Sequence, residues 1–203
     1  MISAAEALHR LREGNRQFAS NAEDTQVRHK PDPALKTQQR PFAIILGCSD
    51  SRVPAEIVFN QGLGDLFVIR VAGNIVAPSL IGSVEFAAEN FGTRLVVVLG
   101  HSHCGAVEAT LNELEDAQHS PNLASIVDRI RPAIEPIMAS DNGLDHEARL
   151  SAAVKANIRT STAQLQHGSE ILARLVEHDG LTIVGAEYCL ETGIVEFLED
   201  ERA

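Results

Sequence analysis

The sequence predicts an α/β fold, a mostly parallel sheet of four strands with an antiparallel fifth, flanked by helices. Two observations carry that prediction. Four short, near-continuous apolar runs recur: FAIILG (Phe42 to Gly47), LFVIR (Leu66 to Arg70), LVVVLG (Leu95 to Gly100) and LTIVGA (Leu181 to Ala186). Strands of this unbroken kind are covered on both faces, and the segments between them are long enough for the crossover helices that parallel pairing needs. A fifth run, IVEFL (Ile194 to Leu198), follows a turn at Glu191 to Gly193, so it can pair antiparallel with LTIVGA at the sheet edge.

The remaining elements follow along the chain. Ala5, Leu8, Leu11 and Phe18 fall near helical spacing behind Ser3, a residue suited to capping, which predicts an opening helix with an apolar stripe. Asn21 to Arg40 is polar and broken by Pro31 and Pro33, and reads as a loop wrapping over the body. Residues 1–40 are thus an arm on an α/β core at 41–203, the whole forming one domain. Helices are expected near Pro54 to Phe59, Pro78 to Phe91, Gly105 to Ala117, Asn122 to Met138 and Asp145 to Glu177, the last as one long helix or a pair. Asp116 to Pro121 and Ser140 to Gly143 read as loops.

Composition narrows the function. A chain of 203 residues, 44% hydrophobic, can bury a sizeable core. Its formal charge of −11, with no basic block to offset it, argues against nucleic acid and anionic membrane surfaces as partners. No apolar run approaches the length of a membrane span, and the start MISAAEALHRLREGN lacks the layout of a secretory signal, so a cytoplasmic protein is expected. Three cysteines cannot all pair within the chain, which favours thiolate chemistry in a reducing compartment over a disulfide framework.

Two segments carry the chemistry, each directly after an apolar strand: Gly47-Cys48-Ser49-Asp50-Ser51-Arg52 and Gly100-His101-Ser102-His103-Cys104-Gly105. Open parallel sheets bind ligands beyond the carboxyl ends of their strands, where the strand order reverses. If the first and third strands are neighbours there, Cys48 meets His101 and Cys104. Two thiolates and one imidazole suit Zn²⁺ and leave a fourth position open for water, as in catalytic sites. A lone buried cysteine is more often a small core residue, and Cys189, with no partner in sight, is expected to be one. A structural zinc would want four protein ligands, and only Asp50 is at hand as the fourth. Gly105 could begin the next helix, placing its amide among donors suited to an anion.

CSDSRVPAE (Cys48 to Glu56), the run from Gly64 to Asn74 and GHSHCGAV (Gly100 to Val107) resemble the signature segments of beta-class carbonic anhydrases of bacterial type. The resemblance extends to EALHRLREGNRQF (Glu6 to Phe18) and GAEYCLETGIVEFL (Gly185 to Leu198), and is weakest between Leu111 and Glu177. It implies that Cys48, His101 and Cys104 hold one Zn²⁺ per subunit, and that a zinc-bound hydroxide hydrates carbon dioxide reversibly to bicarbonate and a proton. It implies an Asp50–Arg52 dyad beside the metal, with Asp50 as an alternative fourth ligand in a closed state. Held by Arg52, Asp50 stays ionised and can only accept a hydrogen bond, which orients the hydroxide. With two thiolates on the metal, bound water should be less acidic than the value of about 7 reached with three imidazoles, so activity should rise toward alkaline pH.

The resemblance also aligns Gln39, Phe67, Val71 and Phe86 with residues lining the substrate pocket, Phe86 coming from a neighbouring subunit. Members with a bicarbonate lock carry Trp where this chain has Ile45, and this chain has no Trp, which points to the non-allosteric subtype. His103 is a candidate proton relay to buffer. The expected strand order is 2-1-3-4-5, and the expected assembly is a homodimer, with the opening helix across its partner, or a dimer-of-dimers tetramer. Hydrolysis of carbon disulfide or carbonyl sulfide and a non-catalytic zinc domain are the rival readings.

Overall fold

A computed structural model describes residues 2–20, 33–113, 120–140 and 143–198. Strands β1 (Ala43–Gly47), β2 (Leu66–Arg70), β3 (Leu95–His101), β4 (Thr182–Tyr188) and β5 (Val195–Leu198) form one sheet in the order β2-β1-β3-β4-β5. The first four are parallel and β5 runs antiparallel to β4, as the apolar runs predict. Every residue of β1 and β3 is buried, which is why these strands show no polar alternation.

The alternating side chains of these strands divide the core between two faces. Ile44, Leu46, Val96 and Val98 pack into a cluster with residues of α3 (Pro78–Asn90), α4 (Gly105–Glu113), α5 (Pro121–Ala139), α6 (His146–His167) and α7 (Glu170–His178). Ala43, Ile45, Val97 and Leu99 face the other way, onto α1 (Ala4–Ala19) and α2 (Ala55–Val58). Asp145 to Glu177 resolves into a helix pair: Asp145 caps α6 through the Ala148 amide at 2.9 Å, and Ser169 caps α7 through the Leu172 amide at 3.1 Å. No described helix is long and apolar enough to cross a membrane. Most of the wrapping loop, residues 21–32, the end of the Gly105 to Ala117 helix and most of the 116–121 loop lie outside the described residues. Pro33–Lys36 forms a short 3-10 turn.

The opening helix departs in detail from the expected stripe. Ser3 caps it as predicted, accepting from the Glu6 amide at 3.2 Å. Ala5, however, is exposed, and the buried face is Ala7, Leu11, Gly14 and Asn15. Asn15 is buried because its amide nitrogen donates to the carbonyls of Val58 (3.1 Å) and Gly193 (2.9 Å), while its oxygen accepts from the Val195 amide (2.8 Å). A search for apolar periodicity passes over a helix face built on an asparagine and a glycine. The chain's own body supplies the surface on which this face lies.

Candidate metal centre

β1 and β3 are hydrogen-bonded neighbours, with Gly47 in register with Leu99. Cys48 follows the last residue of β1, His101 is the last of β3, and Cys104 directly precedes α4. The three are buried, and their ligand atoms all lie within 4.8 Å of one another. The expected meeting at the strand ends is what the fold produces.

The details fit a metal ion. His101 Nδ1 lies 2.9 Å from the Ser102 carbonyl. A carbonyl can only accept, so Nδ1 carries the proton and Nε2 presents its lone pair to the two sulfurs. Nε2 has no hydrogen-bond partner; among the described residues the only other such buried side-chain atom is Asn74 Nδ2. A fully buried nitrogen left unpaired between two thiols is costly unless a cation completes it. The Cys104 thiol, as donor, draws Cys48 down to about 4, aided by His101 and by the Asp50 and Gly73 amides against the effect of burial. Cys104, the donor in that pair and also buried, is pushed far up, although the Ala106 and Val107 amides at the start of α4 favour its thiolate. Burial opposes charging His101, but its contact with the Cys48 thiolate, the Ser102 carbonyl and Asp50 outweigh that and raise its pKa.

Beside the cluster, Arg52 grips Asp50 at both carboxylate oxygens, Nε to Oδ1 at 3.0 Å and Nη2 to Oδ2 at 2.8 Å, and the Arg52 amide adds a bond to Oδ1 at 2.9 Å. Those bonds hold the Asp50 carboxyl well below the usual carboxylate range despite some burial. Asp50 Oδ2 stands 3.8 Å from His101 Nε2. The carboxylate is therefore at the edge of the cluster and engaged by Arg52.

A second arginine, Arg70 at the end of β2, escaped the sequence reading. Its Nε donates to the Cys48 carbonyl at 3.0 Å and its Nη2 to the Asp50 carbonyl at 2.5 Å. The sequence signal was only its place at a strand end, in register with Gly47.

The four expected pocket residues divide. Val71 lies at the centre, exchanging backbone bonds with Gly47 and Ser49 at 3.1 and 3.2 Å. Phe67 sits in register with Ile44, four residues before Cys48, which places it roughly 13 Å back along the strand. There it meets Phe86 and Phe91, with ring centroids 6.2 and 5.9 Å away. Phe86 is 51% exposed. Gln39 lines a cleft of about 1150 Å³ with Phe91, Thr93 and Arg94, also at the amino-terminal end of the sheet. One chain does not bring Gln39, Phe67 and Phe86 to its own metal cluster.

Gly105 begins α4, as expected. His103 is exposed, with a positive φ of 51°, and its carbonyl accepts from Arg52 Nη2 at 3.4 Å. Cys189 corrects an expectation: it is half-buried rather than a core residue, because it sits in the β4–β5 turn, and a hydrogen bond with Thr192 lowers its pKa. Ile45 is fully buried in β1.

A mostly parallel α/β sheet with two thiols and an imidazole at the switch point defines a class of protein whose strand ends could hold a metal ion. Comparison with known proteins sharpens the class. The carbonic anhydrase family model matches residues 43–195. Over 92% of its length the chain is 38% identical to a carbonic anhydrase of Mycolicibacterium smegmatis, of which it covers 89%, and over 90% it is 35% identical to carbonic anhydrase 2 of Mycobacterium tuberculosis, of which it covers 87%. Among solved structures it matches the beta-carbonic anhydrase CcaA with a TM-score of 0.75 at 26% identity, covering 95% of this chain and 99% of that one. A tetrameric beta-carbonic anhydrase of Sordaria macrospora shares the fold, with a TM-score of 0.73 at 23% identity over 83% of this chain and 85% of that one. The chain belongs to the beta-carbonic anhydrase family and is an enzyme of carbon dioxide hydration.

Proposed function

We propose that the chain is a zinc enzyme in which Cys48, His101 and Cys104 hold one Zn²⁺ and the Asp50–Arg52 dyad orients the attacking water, with activity rising toward alkaline pH. The observation that carries this reading is His101 Nε2, fully buried, without a hydrogen-bond partner and facing two sulfurs. When bound, zinc supplies a Lewis acid that makes water acidic enough to attack carbon dioxide. Two thiolates and a neutral imidazole cancel the charge of that ion, so the water is less acidic than the value of about 7 found with three imidazoles.

The chain's own groups do the rest. Asp50, ionised in the grip of Arg52, can only accept a hydrogen bond, so it fixes the direction of the attacking lone pair. The Gly105 amide, at the start of α4, donates to bicarbonate as it forms. The exposed ring of His103 can pass the released proton to buffer. Val71 lines the pocket beside the metal, and Gln39, Phe67 and Phe86 line that of a partner subunit in a homodimer or a dimer of dimers; the exposure of Phe86 and the distance of this group from its own cluster support that reading. With Ile45 buried where a bicarbonate lock needs Trp, the enzyme is of the non-allosteric kind. It works as one domain in the cytoplasm, where its three unpaired cysteines stay reduced.

Stopped-flow carbon dioxide hydration against pH, with zinc measured on the same sample, tests the proposal. One zinc per chain and a rate that climbs with pH are expected; a profile flat from about pH 6 to 9 would refute the account of the chemical step.

A further inference from the structure

Asn157 lies on α6, in the part of the chain where no motif stands out, and is 2% exposed. Its side-chain nitrogen donates to the Gly73 carbonyl at 2.8 Å, across 84 residues of sequence. Gly73 belongs to the short 3-10 turn Ala72–Asn74 that follows β2, and its own amide donates to Cys48 Sγ at 3.4 Å. The turn is closely packed and suited to glycine alone. Gly73 has a φ of +69°, and a Cβ there would stand 2.7 Å from Ile130 Cδ1 and 3.2 Å from Ala106 Cβ. α6 is seated equally closely, since a Cβ at Gly100, the residue before His101, would meet Ile158 at 2.5 Å. The buried face of α6, a turn and a sulfur are thus joined in series.

We propose that Asn157 is a positioning residue of the metal centre: it pins the Gly73 turn so that the Gly73 amide donates to Cys48 Sγ, and so sets that thiolate's strength as a ligand. The inference rests on the reading that Cys48 is a zinc ligand. An amide donated to a thiolate withdraws electron density from it and stabilises it as the anion, and outer groups of this kind typically change metal affinity about 10- to 100-fold. A buried asparagine could otherwise have been any polar residue content with its own helix. Thr162, further along α6, is such a residue, bonding the Ile158 carbonyl of its own helix at 2.8 Å.

The test uses the full chain loaded with cobalt in place of zinc. In Asn157→Leu and Asn157→Ser, the sulfur-to-cobalt charge-transfer band should move to lower energy, and affinity for the metal, read by chelator competition, should fall about 10- to 100-fold. Thr162→Val, which loosens the same helix without touching the turn, should leave band and affinity unchanged. Asn157→Ser, the smaller change, decides the matter if the leucine variant does not fold. Folded Asn157 variants with the parent's band and affinity would overturn the proposal while leaving the zinc reading standing. An equal shift in Thr162→Val would also overturn it, by showing general loosening of α6. A parent protein with no sulfur-to-cobalt band would overturn both this inference and the zinc reading.

Discussion

Arg70 Nε donates to the carbonyl oxygen of Cys48 at 3.0 Å, so a side chain of the edge strand braces the backbone of a residue of the metal-competent cluster just after the next strand. The same guanidinium reaches the Asp50 carbonyl. One group therefore fixes both the sulfur's residue and the carboxylate's. Replacing it by methionine frees that loop without removing any ligand atom. Since displacement of a catalytic group by about 1 Å can cost 10²-fold, Arg70→Met should lower kcat about 10- to 100-fold with one zinc per chain retained. Stopped-flow rates and zinc analysis on the same sample check this.

Arg52 holds Asp50 by three hydrogen bonds, and Asp50 Oδ2 already stands 3.8 Å from His101 Nε2. Removing the guanidinium leaves the carboxylate free to turn toward the metal. In Arg52→Gln, X-ray absorption on the zinc-loaded protein should show a carboxylate oxygen beside two sulfurs and one nitrogen. Hydration activity should fall by about 10²-fold or more, because the orienting acceptor is lost and the open position is taken. An unchanged coordination shell would rule out the dyad as the restraint.

Gly14 sits in the middle of α1, where alanine ordinarily favours a helix by up to about 1 kcal/mol. Here the sign reverses. A Cβ at Gly14 would lie 1.9 Å from the Phe59 carbonyl oxygen, which is backbone and cannot swing aside. Overpacking of that kind costs typically about 1–3 kcal/mol, so Gly14→Ala should destabilise the protein by roughly 1–2 kcal/mol, read in urea unfolding.

Glu187, buried near the end of β4, has its pKa raised by desolvation, against which Lys155, 3.7 Å away, is a partial counter. A carboxyl whose folded pKa lies above its unfolded value, near 4.3 for Glu, favours the fold below that value and loses this contribution as pH rises through the folded pKa. Glu187→Gln should therefore melt above the parent at pH 8, with the difference shrinking to nothing below about pH 4. Melting temperatures across that range measure it. A variant that melts below the parent at pH 8 would show instead that the lost Lys155 pair outweighs the desolvation.

Much of this protein could be read from local sequence, because the physics involved is local. Short unbroken apolar runs between turn signals are characteristic of strands in a covered parallel sheet, so β1, β2, β3 and β4 declared themselves, and strand ends in such a sheet face the ligand, which marked Cys48 and His101. Ser3 announced its helix because a cap acts over three residues. The groups that steady the site were hidden for the opposite reason. Arg70 works through backbone carbonyls, which every residue has, and Asn157 reaches Gly73 across 84 residues, so neither leaves a pattern in spacing. Asn15 and Gly14 likewise build a buried helix face that hydrophobic periodicity cannot register. The sequence by itself determined the sheet and the three metal-competent side chains. Tertiary structure alone decided how those side chains are held, which imidazole nitrogen faces the sulfurs, and that Gln39, Phe67 and Phe86 stand away from their own centre, because hydrogen bonds and close packing between distant segments depend on where the chain returns.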